Sequence, residues 1–404
     1  MVRLFFVFML TIFLYFLGGF IVSQYDLRVL PAQIKKEHPA GYYDYRGVIN
    51  VHSSAGIGSG TYAEIIEEAK LAGLDFIFIT DLNLFQKPEN LEGYNGNLLV
   101  FSSGEYSYLD SRLIFYDLNK NNEPSSVGEG QIQFTDYLSQ DKSASADSFI
   151  VMAHPMRAGF SWTGPYPHGL DGIEPINLKS VLKDSWDRSK LSGIWSLLIY
   201  PFNAKLSFIR LFVEPRPEFD LWDELSQKHS TIGFLGSDAT AKAVPMANYF
   251  LRFPSYEKTF EVASNHVLLK SELTGNGASD RQKIFTALKR GNFYMSFDLL
   301  GEPRGFVAVM KSKEKEYLMG AKIPFSSFLK LEVKLPSKPD VKFETILYKN
   351  GEAIETFKEE SFERIVDAVG TYRVLVRVKP NLPYPDSGRW FSWIYSNPFF
   401  VEAP

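Results

Sequence analysis

Cysteine is absent from this 404-residue chain. That absence excludes disulfides, thiolate metal sites, a lipid-modified cysteine anchor and cysteine nucleophiles together. Histidine is scarce, with six residues at positions 38, 52, 154, 168, 229 and 266. These are too few for a fully populated multinuclear centre rich in imidazole, so any metal must rest on His, Asp, Glu or Asn. Charge of one sign is also lacking. Lys and Arg number 43 against 47 Asp and Glu, a net charge of -4, which gives no electrostatic reason to expect a nucleic-acid partner. Aromatic residues, by contrast, are plentiful at 15%. Residence at a membrane, a β-rich region and compositional bias would each produce that richness, and composition does not separate them.

After Met1-Val2-Arg3 no charge appears until Asp26. An apolar run of that length spans a hydrocarbon core of roughly 30 Å as a helix. The bulky Phe20-Ile21-Val22 offers no small-residue cleavage site, so residues 1–25 are predicted to be an uncleaved signal anchor rather than a removed signal peptide. Arg3 favours a cytoplasmic N-terminus, which puts the body on the extracytoplasmic side, periplasmic or extracellular. Residues 26–46 are polar, contain proline and show no period, and read as a tether.

A β/α rhythm follows. Val48–His52 reads as a strand, Gly56–Gly60 as a flexible turn, and Thr61 with Glu64 as the start of a helix ending near Gly73. Leu74–Thr80 is a strand apolar enough to be buried on both faces. Leu98–Ser102, Arg112–Asp117, Phe149–Ala153, Gly172–Ile176 and Thr231–Leu235 continue the series. Strands alternating with helices imply parallel pairing, and a ring of such units makes a barrel. From about Gly301 short alternating runs and turns such as Asn350-Gly351 take over, predicting an antiparallel β-sandwich over residues 299–404.

Short polar motifs stand at the ends of the barrel strands, where parallel α/β barrels place their sites. They run Asn50-Val51-His52, Thr80-Asp81-Leu82-Asn83, Gly104-Glu105, His154-Pro155 and Gly236-Ser237-Asp238-Ala239-Thr240. Their order resembles the polymerase and histidinol phosphatase (PHP) superfamily, whose metal-binding pattern reads roughly HxH, TDHN, GxE, HP and GSDAH. The resemblance implies an α/β fold with a distorted (β/α)7 TIM-type barrel over residues 47–298. It also implies a metal-dependent hydrolase of the phosphoesterase kind. Ser396–Val401 is similar to the ending of PHP proteins of the ester or carbamate hydrolase type, which carry a β tail. The chain departs from the pattern where Asn50, Leu82 and Thr240 replace histidines.

The resemblance implies His52, Glu105, His154 and Asp238 as metal ligands, with Glu105 the carboxylate that would bridge two ions. Two imidazoles with carboxylates suit one divalent ion, zinc, manganese or iron. Asp81 and Glu105 are candidate catalytic groups that would orient water, and Arg157 a candidate anchor for phosphate. Each has a plainer alternative: His52 as a hydrogen-bonded strand-end histidine, Asp81 as a cap, Arg157 as a salt-bridge partner. Asn83 reads as a turn residue, Glu174 as a structural acid, and His168 as a remote substitute for a missing imidazole. Whether the chain catalyses at all stays open. The other reading is an inactive barrel of the cell envelope that binds a ligand or acts as a scaffold.

Residues 191–213 form two short apolar segments broken at Pro201 and Asn203. Neither is long enough to cross a bilayer. Trp195, Tyr200, Phe202, Lys205 and Arg210 are residue types favoured at headgroup level. This stretch is expected to be a helical hairpin, either lying on the membrane lipid beside the anchor or packed on the barrel.

Overall fold

The computed structural model describes residues 2–30, 41–88, 90–120, 122–139, 147–242 and 252–404. The part of the expected tether at 31–40 lies outside them. Val2–Ser23 is one helix, long and apolar enough to cross a membrane, with only Gly19 buried. The stretch after it is less tether-like than its polarity suggests. Leu27, Val29 and Leu30 are buried, and Val29 donates to Leu300 O at 2.6 Å and accepts from Asp340 N at 2.9 Å. Apolar residues at 27, 29 and 30 fill the core sooner than they stay in water.

The body is mixed α/β around one large sheet. Its first strand is Tyr43–Val51, starting at Tyr43 rather than Val48 because residues 43–47 pair antiparallel with Ser264–Leu269. This strand lies parallel to Phe76–Ile79 on one side and Ile232–Ala239 on the other. Phe76–Ile79 pairs in parallel with Leu98–Ser102, and Gly172–Asn177 with both Ser148–Met152 and Ile232–Ala239. One expectation fails here: Ser111–Asp117 runs antiparallel to both its neighbours, Gly104–Tyr108 and Ser148–Met152. A tight turn at Leu109, φ 50°, replaces the helix that a parallel connection would need.

The helices cover this sheet. Tyr62–Leu71 starts with a capping box between Thr61 and Glu64 and buries Ile65, Ile66 and Ala69. Leu178–Arg188 is capped by Asn177, whose side chain accepts from Ser180 N. The hairpin is present as Lys190–Ile199 and Ala204–Leu211, the second capped by Asn203. It packs against the N-terminal helix. Tyr15 donates to Leu198 O at 3.0 Å, Phe202 meets the rings of Tyr15 and Phe16, and Asn203 Nδ2 donates to Val22 O and Tyr25 O. Gly19 lets this contact form, since a Cβ there would come within 2.4 Å of the Phe202 ring.

Beyond residue 300 the chain is β-rich. Val307–Lys311, Glu316–Leu318, Lys330–Lys334 and Ser361–Ile365 form a separate four-stranded sheet. Lys342–Lys349 pairs antiparallel with both Glu352–Phe357 and Gly370–Lys379, and Gly370–Lys379 pairs antiparallel with Phe391–Ser396. They are continuous with the large sheet, because Phe391–Ser396 pairs with Phe293–Ser296.

Candidate functional site

Four of the motif residues have an unusual backbone. Asn50, Asn83, His154 and Asp238 stand at positive φ, 58°, 49°, 33° and 45°. Left-handed backbone at a non-glycine residue costs on the order of 1–3 kcal/mol and persists only where the surroundings enforce it. The ladder is irregular at the same places, with register shifts between Val48 and Val51 and between Ile173 and Ile176. Such irregularities re-aim side chains, so simple alternation along a strand does not describe where Asn50, His52 and Glu174 point.

Four predicted residues come together. His52 Nε2 lies 3.1 Å from Glu105 Oε2 and 3.5 Å from Asp238 Oδ1, and His154 Nε2 lies 3.4 Å from Glu105 Oε1. All four side chains are buried. Burial alone would pull the His52 pKa down, but Asp238 and Glu105 beside it outweigh that and push it up to about 9. Burial likewise opposes charge on Glu105, yet His154 and His52 hold its pKa below the ordinary carboxylate range.

Arg157 joins the cluster through Asp238. Its Nη2 lies 2.6 Å from Asp238 Oδ2 and 2.6 Å from Asn177 Oδ1, while Nε donates to Ser180 Oγ at 2.7 Å. Lys179 Nζ is 3.1 Å from the other Asp238 oxygen. Burial raises the Asp238 pKa, but Arg157, Lys179 and His52 together carry it well below the usual range. Sequence reasoning missed Lys179. The available signal was its place in the first turn of a helix that starts directly at the end of a site strand.

Asp81 is occupied by backbone and hydroxyl donors. It accepts from Ser53 N and Ser53 Oγ, each at 2.6 Å, and from Tyr62 Oη at 3.0 Å. These bonds tie the turn after the first strand to the helix Tyr62–Leu71, which is the capping alternative. Asn83 stands at φ 49° and bridges Ser107 through both ends of its amide, as a turn residue does. Leu82 meets Glu105 through a backbone bridge, and Thr240 offers its carbonyl to Ser59 N and Tyr256 Oη. His168 pairs with His229, ring centroids 4.6 Å apart.

Glu174 is more central than a structural acid was expected to be. It accepts from Asn50 Nδ2 at 2.9 Å, Asn177 Nδ2 at 2.8 Å and His154 N at 3.2 Å. Burial pushes its pKa up to about 7 against the pull of those donors.

Among the described residues, no group of three or more His, Asp or Glu is disposed as a formed ion site. The donor chemistry nevertheless fits an ion. Both ring nitrogens of His52 and Nδ1 of His154 are buried without a hydrogen-bond partner of good geometry. Such nitrogens are costly unless something binds them. Asp238 is the least available donor, because two cations already neutralise it.

No family model and no curated protein matches this chain. Among solved structures it is similar to a two-domain protein from Bacteroides vulgatus ATCC 8482 described as containing a predicted PHP-like metal-dependent phosphoesterase. The identity is 11%, with 91% of this chain and 98% of the other covered, at a TM-score of 0.40. A likeness this distant fixes neither a fold family nor a chemistry.

Proposed function

We propose that this chain is a membrane-anchored phosphoester hydrolase whose centre takes one divalent ion, zinc, manganese or iron. His52, Glu105 and His154 would hold the ion, with Asp238 at its edge. The observation that carries the reading is the pair of buried imidazoles whose Nε2 atoms face one buried carboxylate from either side and whose Nδ1 atoms have no hydrogen-bond partner. When bound, the ion would act as a Lewis acid on a phosphoryl oxygen.

The other roles belong to the chain's own side chains. Arg157 and Lys179, gathered by Asp238, supply positive charge for a phosphate. Glu105, held ionised between His52 and His154, would supply negative charge to the ion. Asp81, pinned by Ser53 and Tyr62, holds the adjoining turn in place rather than transferring protons. In the reaction the P–O bond to the leaving alcohol breaks, a P–O bond to water forms, and the proton lost by water ends on the alcohol. The body belongs outside the cytoplasm on the strength of Arg3. In this reading residues 47–298 form a distorted (β/α)7 PHP-like barrel and 299–404 a β-sandwich, in keeping with the motif order and the run of pairings from Tyr43–Val51 around to Ile232–Ala239.

Metal content of the full chain, purified without chelator and then offered manganese or zinc, tests the proposal by elemental mass spectrometry. About one ion per chain, lost in His154→Ala and accompanied by hydrolysis of an aryl phosphate, is expected. No retained ion and no hydrolysis with either metal would overturn it.

A second reading, a binding protein without catalysis, draws on a specific observation. Asn50, Arg157 and Lys179 satisfy Glu174 and Asp238 with fixed donors near the positions where the resembled pattern has metal ligands. The triple variant Asn50→His, Leu82→His, Thr240→His separates the two. A gain of activity means that only ligands were lost, and no gain means that the pocket itself has diverged.

A further inference from the structure

A cavity of about 340 Å³ opens beside Asp238. Its walls are the helices Leu178–Arg188, Lys190–Ile199 and Ala204–Leu211, with Phe253 and Pro254 closing one side. The lining is largely apolar, contributed by Leu182, Trp186, Leu197, Phe208, Leu211 and Phe253. The polar end is different in kind. Lys179 and Asp238 stand there with Lys242, and Arg157 reaches the far oxygen of the same aspartate. Lys179 is only partly buried, its side chain 35% exposed, so its ammonium is open to a ligand. Asp238 is shared between this cavity and the His52–Glu105 cluster, 3.5 Å from His52.

The cavity also adjoins the apolar end of the molecule. Leu197 lines it, while the next residue, Leu198, is 52% exposed and takes the Tyr15 hydroxyl on its carbonyl. Leu191 and Ile194 on the same helix are exposed as well, at 81% and 48%. One wall of the apolar chamber is therefore a helix that also contacts the N-terminal helix, and Lys179 and Lys242 line the chamber beside Asp238 of the candidate centre.

We infer that this cavity receives the hydrocarbon tail of a single-chain amphiphile whose phosphate headgroup sits at Lys179 and Lys242. The inference rests on the hydrolase reading for what happens to the phosphate, but not for binding. Its volume lies at the low end of ligand pockets, which suits one chain rather than two. Burial of each methylene favours binding, and the two cations fix which end enters the polar mouth. Inorganic phosphate shares the headgroup chemistry but has nothing for the apolar chamber.

The test is binding of ethyl phosphate, octyl phosphate, octanol and inorganic phosphate to the full chain in one detergent, followed by calorimetry and by the fluorescence of Trp186. Octyl phosphate should bind at least about tenfold tighter than ethyl phosphate, octanol more weakly than octyl phosphate, and inorganic phosphate no tighter than ethyl phosphate. Leu182→Trp, which fills the chamber, should abolish the chain-length gain while leaving ethyl phosphate binding unchanged. Lys179→Ala should weaken both phosphates alike. Trp186→Phe should remove the fluorescence response and retain the calorimetric one. Equal affinity for the two alkyl phosphates, or a gain that survives Leu182→Trp, would overturn the inference. Chain-length-dependent binding with no hydrolysis in any metal would leave it standing and refute the hydrolase reading alone. Hydrolysis of ethyl phosphate with no chain-length preference would do the reverse.

Discussion

Asn50 Nδ2 lies 2.9 Å from Glu174 Oε1, joining the end of the first strand to a strand two places away in the sheet. Both side chains are fully buried. A neutral amide thus holds a carboxyl that burial drives toward protonation. It stands where the resembled motif would have an imidazole.

Replacing Asn50 should separate two costs. Asn50→Gly removes the donor but accepts φ 58°, and is expected to lower stability by about 1–3 kcal/mol. Asn50→Ala should lose roughly 1 kcal/mol more, because alanine is strained at that φ. Urea titration of both variants checks this, and identical midpoints would mean that the backbone there relaxes.

Gly236 faces the same carboxyl. A Cβ at that position would come within 1.9 Å of Glu174 Oε1. Gly236→Ala should therefore push Glu174 off Asn50 and Asn177, destabilising by about 1–3 kcal/mol and lowering metal retention. Unchanged thermal stability together with unchanged metal content would show that the Glu174 contacts are dispensable.

Arg373 and Asp223 form a buried two-pronged pair, 2.7 and 2.6 Å, between a strand of the C-terminal region and the helix Arg216–His229. Removing one partner leaves the other charge buried and uncompensated. Asp223→Ala should cost about 3–5 kcal/mol, while the double change with Arg373→Met should recover part of it. Denaturation of the singles and the double gives the coupling, and simple additivity would argue against a linked pair.

His266 predicts a pH dependence away from the candidate centre. Its Nδ1 is 2.8 Å from Asp44 and its Nε2 is 3.2 Å from Asp298, with Tyr294 stacked on the ring and Arg46 paired to Asp298. Burial alone would lower the imidazole pKa, but the two carboxylates outweigh it and push it up to about 9. A raised folded value means stability that is complete below about pH 6.5 and is lost as pH rises through about 9. Burial raises Asp298 in turn, yet Arg46 and His266 hold it below the ordinary range. Its share is therefore present above about pH 4 and lost on acidification. Melting temperature should be highest between these limits, and His266→Gln should lower it there and flatten the alkaline decline. An alkaline limb unchanged in the variant would assign that decline to other groups.

Membrane contact of the hairpin can be measured separately from the anchor. A variant lacking residues 1–25 should still float with liposomes if Leu191, Ile194 and Leu198 lie on the lipid, and changing all three to Asp should release it. A fully soluble protein before those changes would confine membrane contact to the N-terminal segment.

Much of this molecule was legible in the order of its residues, because those features depend on neighbours along the chain. The run after Arg3 reads as a membrane-length helix, Thr61 with Glu64 as a capping box, and Asn203 as a break between two short helices, all from local pattern. The meeting of His52, Glu105, His154 and Asp238 was anticipated from motif order alone, which places strand ends without their distances. Only the tertiary structure decided what each polar group does. Lys179 and Arg157 converge on one carboxylate from the helix Leu178–Arg188 and the loop after His154. Glu174 is claimed by Asn50, Asn177 and a backbone N–H, and Asp81 by Ser53 and Tyr62. Hydrogen bonds and ion pairs act over about 3 Å, and which groups reach that range is set by packing between segments far apart in the chain.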